Sequence, residues 1–292
     1  MKLDAVLNHP FPPTTHHPSV SDCILYALAA GLGANPCDEK ELPFVYEGNS
    51  LAMLPTMTAV IGMPPFWFDE PDLDMAWESL VHGEEAIEIH RPLTPGKTLE
   101  ARVRISDIAD KGADHGALIN MERELHETES GQHVATIRSS LLARRDGGFR
   151  GGEIQHLPPL TAKAAFTGRD PDVVCDFETL PQNALLYRLC GDMNKLHADP
   201  KVAEEAGFPR PILHGLCTFA VAGHALLRHC CGYDPGRLKA FAVRFVAPVY
   251  PGETIRTEIW REGGEVAFRC MAAERGVAVI ERGSARISPA NP

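Results

Sequence analysis

A proline–glycine turn occurs twice along the chain, and this repetition limits the folds that the chain can adopt. Residues 92–98 read PLTPGKT and residues 248–254 read PVYPGET, so two prolines, the glycine and the last threonine recur at one constant offset. Two similar segments precede these turns in the same order, LYALAAG at 25–31 and LYRLCGD at 186–192. Two repeated segments in the same order predict that the chain contains two copies of one supersecondary unit.

Apolar residues alternate with polar ones around both turns and predict antiparallel β-strands. After the first turn, Leu99, Ala101, Val103 and Ile105 share one face, and charged residues occupy the opposite face. The second half shows the same alternation in three runs, at 241–245, 255–259 and 266–270. A period of two is typical of an antiparallel sheet that buries one face.

Two helices are predicted in the second half. Asp199 as N-cap, Pro200 in the first position and Gly207 as the stop predict a short helix over 200–206. Apolar residues at helical spacing predict a long helix over 211–229. A loop, a long helix and several long strands, in that order, indicate an α+β fold in which a sheet wraps around one central helix.

The first half lacks the length for an equal helix. His82-Gly83 stands much closer to the first turn than His214-Gly215 stands to the second. If the two His-Gly pairs correspond, the first repeat has lost about a helix's length of chain. We hypothesise that this loss leaves a groove beneath the first sheet, in which an apolar ligand tail could lie.

The middle of the chain differs from both halves. Residues 145–182 are rich in glycine, proline and charge, and no period of 2 or 3.6 persists there. We therefore expect a first repeat over 1–150, a linker over 151–182 and a second repeat over 183–292.

The composition disfavours several classes of protein. A net charge of −11 gives no global basic field for nucleic acid and disfavours a membrane-surface role. The eight cysteines form no C-x-x-C pair, and the histidines lack the spacing of a zinc helix, so no metal is predicted. No run approaches the roughly 18 apolar residues of a membrane span, and the first residues lack the apolar core of a secretory signal. We therefore expect a cytoplasmic protein.

Residues 187–217 contain the side chains best suited to chemistry. Asp192, Asn194 and His197 lie within six residues, and a carboxylate and an imidazole on one turn can act on one water as base and acid. Gly215 lies near the predicted helix start, where a free N–H suits a developing oxyanion. Residue types alone nevertheless favour ordinary turn chemistry for the first three, and a satisfied core histidine at His214.

The same segment resembles the signature of the hydratase 2 and MaoC-like dehydratases. Their pattern, Y-R-x-S-G-D-x-N-P-L-H-x-D-P followed by A-G-F-x-x-P-I-L-H-G-L, is similar to YRLCGDMNKLHADP at 187–200 and AGFPRPILHGLC at 206–217. The first half is similar to the family's N-terminal portion in YALAAGLG, LPFVYEG, LPTM, LVHGEE, DKG and TIRSSLLARRDGGF. The resemblance covers nearly the whole chain. It departs from the family at Cys190, where serine is usual, at Lys195, where proline is usual, and in GGFRGG at 147–152.

The resemblance implies a double hot-dog fold, with two curved antiparallel sheets around helices and a reduced N-terminal helix. It also implies syn hydration of a trans-2-enoyl-CoA to the (R)-3-hydroxyacyl-CoA. Asp192 and His197 correspond to the acid–base pair, Asn194 to the orienting residue, Gly215 to the amide that polarises the thioester, and Glu47 to a supporting glutamate. Further candidates for contact with the substrate are Tyr187, Arg188, His82, Gly83, His214 and Lys195.

Three functions stay open on these grounds. The first is the hydratase, and the second is a dehydratase for a carrier-protein thioester or a short branched acyl-CoA. The third is a non-catalytic acyl-CoA binder or a thioesterase on the same scaffold. The intact Asp192, Asn194 and His197 argue against mere binding, because burying ionisable groups costs stability. We expect no cofactor apart from CoA as part of the substrate and no nucleic-acid or membrane partner. The oligomeric state stays open, with a homodimer of two chains as the candidate.

Overall fold

Both repeats contribute to one antiparallel sheet, which has ten strands in the part of the chain that the structure describes. The computed structural model describes residues 1–48, 50–151, 153–161 and 168–290. The strand order in the sheet is β1-β3-β4-β5-β2-β7-β10-β9-β8-β6. The strands are β1 (Thr14–His16), β2 (Leu80–Ile89), β3 (Leu99–Asp110), β4 (Ala117–Glu127), β5 (His133–Ala143), β6 (Val173–Glu178), β7 (Leu238–Phe245), β8 (Thr254–Glu262), β9 (Glu265–Ala272) and β10 (Val277–Ile287).

The helices are short except for one. The α-helices are α1 (Leu3–Leu7), α2 (Val20–Ala29), α3 (Leu42–Val45), α4 (Asn183–Tyr187), α5 (Pro200–Glu205) and α6 (Gly215–His229). The 3-10 helices are Pro55–Ala59, Pro71–Leu73, Trp77–Ser79, Arg188–Cys190, Lys195–His197 and Pro235–Arg237. None of the described helices is long and apolar enough to cross a membrane.

The strand order confirms the predicted duplication. On one side of the sheet the order is β3-β4-β5-β2, and on the other side β8-β9-β10-β7 repeats it in mirror sequence. The central strands β2 and β7 join the repeats, with Ala86 opposite Ala242. The turns at 92–98 and 248–254 follow these two strands. Neither repeat is therefore a separate sheet.

The alternating runs form strands that bury the predicted face. Leu99, Ala101 and Ile105 on β3 are all buried, as are Ile255 and Ile259 on β8. Their side chains, together with those of α6, form the hydrophobic core of the molecule. The burial of one face and the polarity of the other explain why these segments pair as antiparallel strands.

The central helix α6 begins at Gly215, so the predicted start at residue 211 was wrong. The amide of Leu213 donates to the carbonyl of Val249 at 2.7 Å, which keeps this residue in an extended segment beside the turn. His214 has a ψ of 136° and forms the N-cap, so Gly215 is the first helical residue. Almost the whole of α6 is buried, as expected for a helix that a sheet surrounds.

The first repeat has a 3-10 helix, Pro55–Ala59, where the second has α6. This confirms the reduced helix, but the correspondence inferred from His82-Gly83 was wrong, because both residues lie within strand β2. The short helix packs directly on α6, because a Cβ built on Gly223 would collide with Cγ2 of Thr56. Glycine at this position therefore allows the close approach of the two helices.

Buried polar groups lie beneath the first sheet, beside the 3-10 helix. Arg123 on β4 is 7% exposed and pairs with Ile137 of the core, so its side chain is on the inner face. Its guanidinium donates to the carbonyls of Thr58 at 3.4 Å and Ala59 at 2.5 Å, at the end of the short helix. A charged side chain thus lies under the first sheet, where we hypothesised a groove for an apolar ligand tail, and the groove itself stays a hypothesis.

The predicted linker over 151–182 contains a strand, which corrects its description as a simple connection. Strand β6 pairs with β8, with Cys175 opposite Thr257, and forms one edge of the sheet. Val173, Cys175 and Phe177 pack against the core while the residues between them are exposed. The alternation is short and lies among prolines and charges, which hid it from the sequence pattern. Part of the linker, 162–167 with Gly152, lies outside the described residues.

Candidate active site

The loop that connects α4 to α5 is shaped by its own polar side chains. The carboxylate of Asp192 accepts from the amide of Asn194 at 3.1 Å. The side-chain oxygen of Asn194 accepts from the amide of Leu196 at 3.0 Å, and so caps the 3-10 helix that carries His197. Gly191 begins this loop with a φ of 126°, which favours glycine. The side-chain to backbone hydrogen bonds expected of these residue types are therefore present, and they position the ionisable groups of Asp192 and His197.

The structure brings three predicted residues together at the entrance to α6. Asp192, His197 and His214 each offer one ligand-type atom, and these atoms lie within 4.8 Å of one another. Asp192 is partly exposed, whereas His197 is 8% and His214 1% exposed. A carboxylate at the surface thus meets buried imidazoles, at separations that two hydrogen bonds to one bridging water would span. The distances would also allow a metal ion.

The hydrogen bond of His197 shows which of its nitrogens is available to a substrate. Nδ1 lies 2.9 Å from the carbonyl of Ile212, and a carbonyl only accepts. Nδ1 therefore carries the proton, and Nε2 keeps a lone pair. Burial lowers the pKa of His197, although the Asp192 charge and the bond to Ile212 act in the opposite direction. A neutral imidazole with a free Nε2 suits a general base at neutral pH.

His214 supports this loop from within the core. Its Nε2 donates to the backbone carbonyl of Asp192 at 3.2 Å, and its ring stacks on that of His197 at 3.7 Å. Burial, and then the neighbouring His197, lower the pKa of His214 to about 3. His214 is therefore neutral at pH 7 and packs as a core histidine behind Asp192 and His197, while its contact with a substrate stays a prediction.

Gly215 places a backbone N–H at the start of the buried helix. The first bond that closes the helix runs from the amide of Cys217 to the carbonyl of His214, at 3.0 Å. The amide of Gly215 comes before the first of these bonds in the chain, so it has no acceptor within the helix. It points out of the helix at the positive end of the helix dipole. A Cβ on Gly215 would have the ring of Phe245 as its nearest neighbour, at 3.4 Å.

Three other predicted residues of this segment differ in their surroundings. Tyr187 is fully buried, and its ring lies 5.1 Å from that of His214. Arg188 is half-buried, and its Nε is enclosed without a hydrogen-bond partner among the described residues. Lys195 is exposed in the 3-10 helix that carries His197. Tyr187 thus packs the site from behind, while the contacts of the two cations with a substrate stay predictions.

Phe245 connects the start of α6 to the first repeat, a contact that the sequence did not reveal. Its ring lies beside Gly215 and 5.0 Å from the ring of His82. His82 in turn contacts Glu85 through Nε2 at 2.9 Å. Alternation along β7 predicts that Phe245 shares a face with Phe241, but only the pairing of β2 with β7 brings His82 to it. Gly83 follows on β2, where a Cβ would lie 3.1 Å from the carbonyl of Ser140.

Glu47 is the predicted catalytic residue that the structure does not bring to this group. It is exposed in the turn after α3, and no hydrogen bond or ion pair between described residues joins it to Asp192 or His197. Its supporting role stays a prediction. Glu41, which no sequence signal marked, is the buried carboxylate of this region: it accepts from His224 at 3.1 Å and from Tyr233 at 3.0 Å.

Comparison with protein families matches both repeats. A family model described as MaoC like domain matches residues 162–282, and one described as MFE-2 hydratase 2 N-terminal domain matches residues 17–145. The site described above lies in the first of these two ranges, in the second repeat.

Individual relatives extend the match over almost the whole chain. The peroxisomal enoyl-CoA hydratase 2 of Arabidopsis thaliana is 37% identical over 295 residues, which cover 95% of this chain and 93% of that protein. The 3-hydroxyacyl-thioester dehydratase Y of Mycobacterium tuberculosis is 38% identical over 257 residues, covering 86% and 85%. The peroxisomal multifunctional enzyme type 2 of Mus musculus is 35% identical, and the match covers 98% of this chain but 38% of that protein.

Solved structures agree with the fold. The crystal structure of a MaoC-like dehydratase from Phytophthora capsici superposes with a TM-score of 0.84 at 33% identity and covers 100% of both chains. A Mycobacterium tuberculosis protein described as having a double hotdog fold superposes with a TM-score of 0.55 at 16% identity, covering 94% of each chain. The predicted α+β double hot-dog fold is confirmed. The chain belongs to the hydratase 2 family of MaoC-like dehydratases, and it is a hydro-lyase of that family.

Proposed function

We propose that the chain catalyses the reversible, R-specific hydration of trans-2-enoyl-CoA to (R)-3-hydroxyacyl-CoA. The observation that carries this proposal is the cluster of Asp192, His197 and His214 at the point where α6 begins with Gly215. Hydration of a conjugated thioester needs an activated water at one carbon, a proton at the next and a donor for the carbonyl oxygen. The relatives named enoyl-CoA hydratase 2 support the choice of substrate.

In this proposal, one water lies between Asp192 and His197. The lone pair on Nε2 of His197 takes a proton from the water, and the oxygen of the water bonds to C3 of the enoyl group. The Asp192 carboxylate accepts a hydrogen bond from the same water and stabilises the imidazolium that forms. The pair then returns a proton to C2, so that one hydroxyl and one hydrogen are added in total. Both groups act from one side, and the addition is therefore syn.

Gly215 supports the reaction at the thioester. As C3 is attacked, negative charge moves to the thioester oxygen, and the N–H of Gly215 donates to that oxygen. The helix dipole of α6 adds a positive field at the same place. Because glycine has no side chain, the thioester can approach this amide past the ring of Phe245, which the structure places beside it.

The reverse reaction uses the same groups. Elimination of water from a 3-hydroxyacyl thioester passes through the same enolate, with base and acid exchanging roles. The relative named 3-hydroxyacyl-thioester dehydratase Y supports this direction for the same scaffold. Relative concentrations of substrate and product decide the net direction, so hydratase and dehydratase names describe one chemistry.

The proposal is tested by following the loss of enoyl absorbance after mixing the protein with crotonyl-CoA and with a longer trans-2-enoyl-CoA. The wild type should hydrate at least one of them. Asp192→Asn and His197→Ala should each lower kcat by roughly 100- to 10,000-fold, because each removes one partner of the acid–base pair. Chiral analysis of the product should give the (R) isomer.

Asp199→Asn provides a matched control in the same loop. Its carboxylate caps α5 by accepting from the amide of Lys201 at 2.9 Å, a role that asparagine fulfils as well. This variant should keep wild-type kcat. Full activity in both Asp192→Asn and His197→Ala would sink the proposed mechanism. A thioesterase would instead release free CoA thiol, which a thiol reagent detects in the same mixture.

The cellular location and the oligomeric state belong to the same proposal. We propose a cytoplasmic enzyme, although several relatives are named peroxisomal. We also propose a homodimer of double hot-dog chains. Sedimentation equilibrium of the purified protein distinguishes one chain from two, and fluorescence microscopy of the tagged protein in its own cells reports the compartment.

A further inference from the structure

A group of histidines lies on the outer face of the first repeat, apart from the catalytic site. Glu124 and His126 on β4 flank Leu125, which is fully buried in the core. Because side chains alternate along a strand, Glu124 and His126 point away from the core. His133 lies opposite His126 on β5, and His90 follows the neighbouring strand β2. The proposed hydration uses none of these side chains.

A β-bulge brings His133 to this outer face. Leu125 pairs with Ala135, but the next residue, His126, pairs with His133, so the register shifts by one residue at Val134. Val134 and Ala135 are both in the core. The extra residue turns His133 to the side of His126, and bulges of this kind are known to redirect side chains at functional positions.

The side chains of this outer group are in contact with one another. The rings of His126 and His133 stack at 4.7 Å, and the rings of His133 and His90 lie 4.3 Å apart. Nε2 of His126 lies 3.2 Å from a carboxylate oxygen of Glu124. One ligand-type atom from each of Glu124, His126 and His133 lies within 4.8 Å of the other two.

The hydrogen bonds leave nitrogen lone pairs for a ligand. Nε2 of His133 lies 3.0 Å from the carbonyl of Ala135, which only accepts, so Nε2 carries the proton and Nδ1 is unprotonated. Metal-binding histidines commonly donate their other N–H to a backbone carbonyl in this way. Between His126 and Glu124 the bridging proton occupies a place that a cation could take instead.

We propose that Glu124, His126 and His133 bind a divalent transition-metal ion such as Zn²⁺, with His90 beside them. Zinc bonds of about 2.1 Å place tetrahedral ligand atoms about 3.4 Å apart. Atoms that now lie up to 4.8 Å apart must therefore approach by up to about 1.4 Å. Rotation about the last torsion of half-exposed side chains, which is broad, provides that movement. Two imidazoles and a carboxylate are ligands that zinc accepts, and water completes the coordination.

The test is a calorimetric titration of Zn²⁺ into the purified full chain in a buffer that does not chelate metals. The wild type should take up one ion per chain at this site. His126→Asn and His133→Asn should each weaken the uptake by at least about 10-fold, because each removes a ligand. Both variants should keep the wild-type hydration rate, since their side chains point away from the core and the proposed hydration uses neither of them. Titration with Co²⁺, followed by its visible bands, gives a second readout on the wild type.

Two control variants separate this site from other histidines. His115→Asn changes an exposed histidine between β3 and β4, and His197→Ala changes the catalytic group, whose atoms also lie close enough for a metal. Both should bind Zn²⁺ as the wild type does. Saturable binding that survives in His126→Asn and His133→Asn, or that is lost in His197→Ala, would overturn the proposal. So would a wild type that takes up neither Zn²⁺ nor Co²⁺ saturably.

Discussion

Mild acid should destabilise the protein through the buried ring of His214. The side chain is 1% exposed, and burial together with the adjacent His197 lowers its pKa to about 3. In the unfolded chain a histidine has a pKa of about 6.5. Between these values the unfolded state binds a proton that the folded state does not. The contribution is therefore fully present above pH 6.5 and is lost as the pH falls toward 3.

The expected size follows from the pKa difference. While only the unfolded state is protonated, the free energy of unfolding falls by about 1.4 kcal/mol per pH unit. Integrated from pH 7.5 to pH 5.0, His214 alone removes about 2 kcal/mol. His197, whose pKa burial also lowers, contributes in the same direction. A loss of this size is a considerable part of the stability of a typical domain.

Urea unfolding of the wild type and of His214→Asn at pH 7.5 and pH 5.0 measures this contribution. The wild type should lose about 2 kcal/mol more than the variant over that interval, because asparagine does not titrate. His115→Asn, which changes an exposed histidine, should lose as much as the wild type. Equal losses in wild type and His214→Asn would refute the argument that His214 is held neutral by burial.

Three further predictions concern single side chains. Gly215→Ala should lower kcat/KM by about 10- to 1,000-fold, because the added methyl group crowds the oxyanion donor beside Phe245. Urea unfolding of this variant should show an unchanged or higher free energy of unfolding, since alanine favours helices. Glu41→Gln should cost about 2 kcal/mol in urea unfolding at pH 7, because it removes the charged acceptor of His224; no loss would contradict a structural role for this carboxylate. Arg123→Met should lower the free energy of unfolding by about 3 kcal/mol in the same assay, because two buried carbonyls lose their hydrogen-bond donor. An unchanged free energy of unfolding would show that water replaces the guanidinium as donor.

Local patterns predicted much of the fold. The alternation around Leu99 and Ile255 marks strands because one face of each is buried, and the paired turns marked the duplication. The start of α6 was missed because a tertiary bond from Leu213 to Val249 overrides the helical pattern. Strand β6 was missed because its six residues carry too short a pattern, and it forms by pairing with β8, far along the chain.

The sequence could place the local part of the candidate site but not its long-range contacts. Asp192, Asn194 and His197 lie in one loop, so the sequence could place them together, and the resemblance gave them roles. Long-range contacts were invisible: Phe245 meets His82 only because the two repeats join at β2 and β7. Glu41 meets its buried partner His224 from a distant segment of the chain. The outer histidines of β4 and β5 meet through a bulge, and neither arrangement has a local signal in the sequence.

The central claim is that Asp192 and His197 act on one water from one side of the enoyl group. Hydration of crotonyl-CoA in D₂O tests it most directly, because the hydroxyl at C3 and the deuterium at C2 then record the faces attacked. Proton NMR of the product gives the relative configuration of the two carbons. Our account predicts a single diastereomer from syn addition. An anti product, or a mixture of both diastereomers formed by the enzyme, would contradict it.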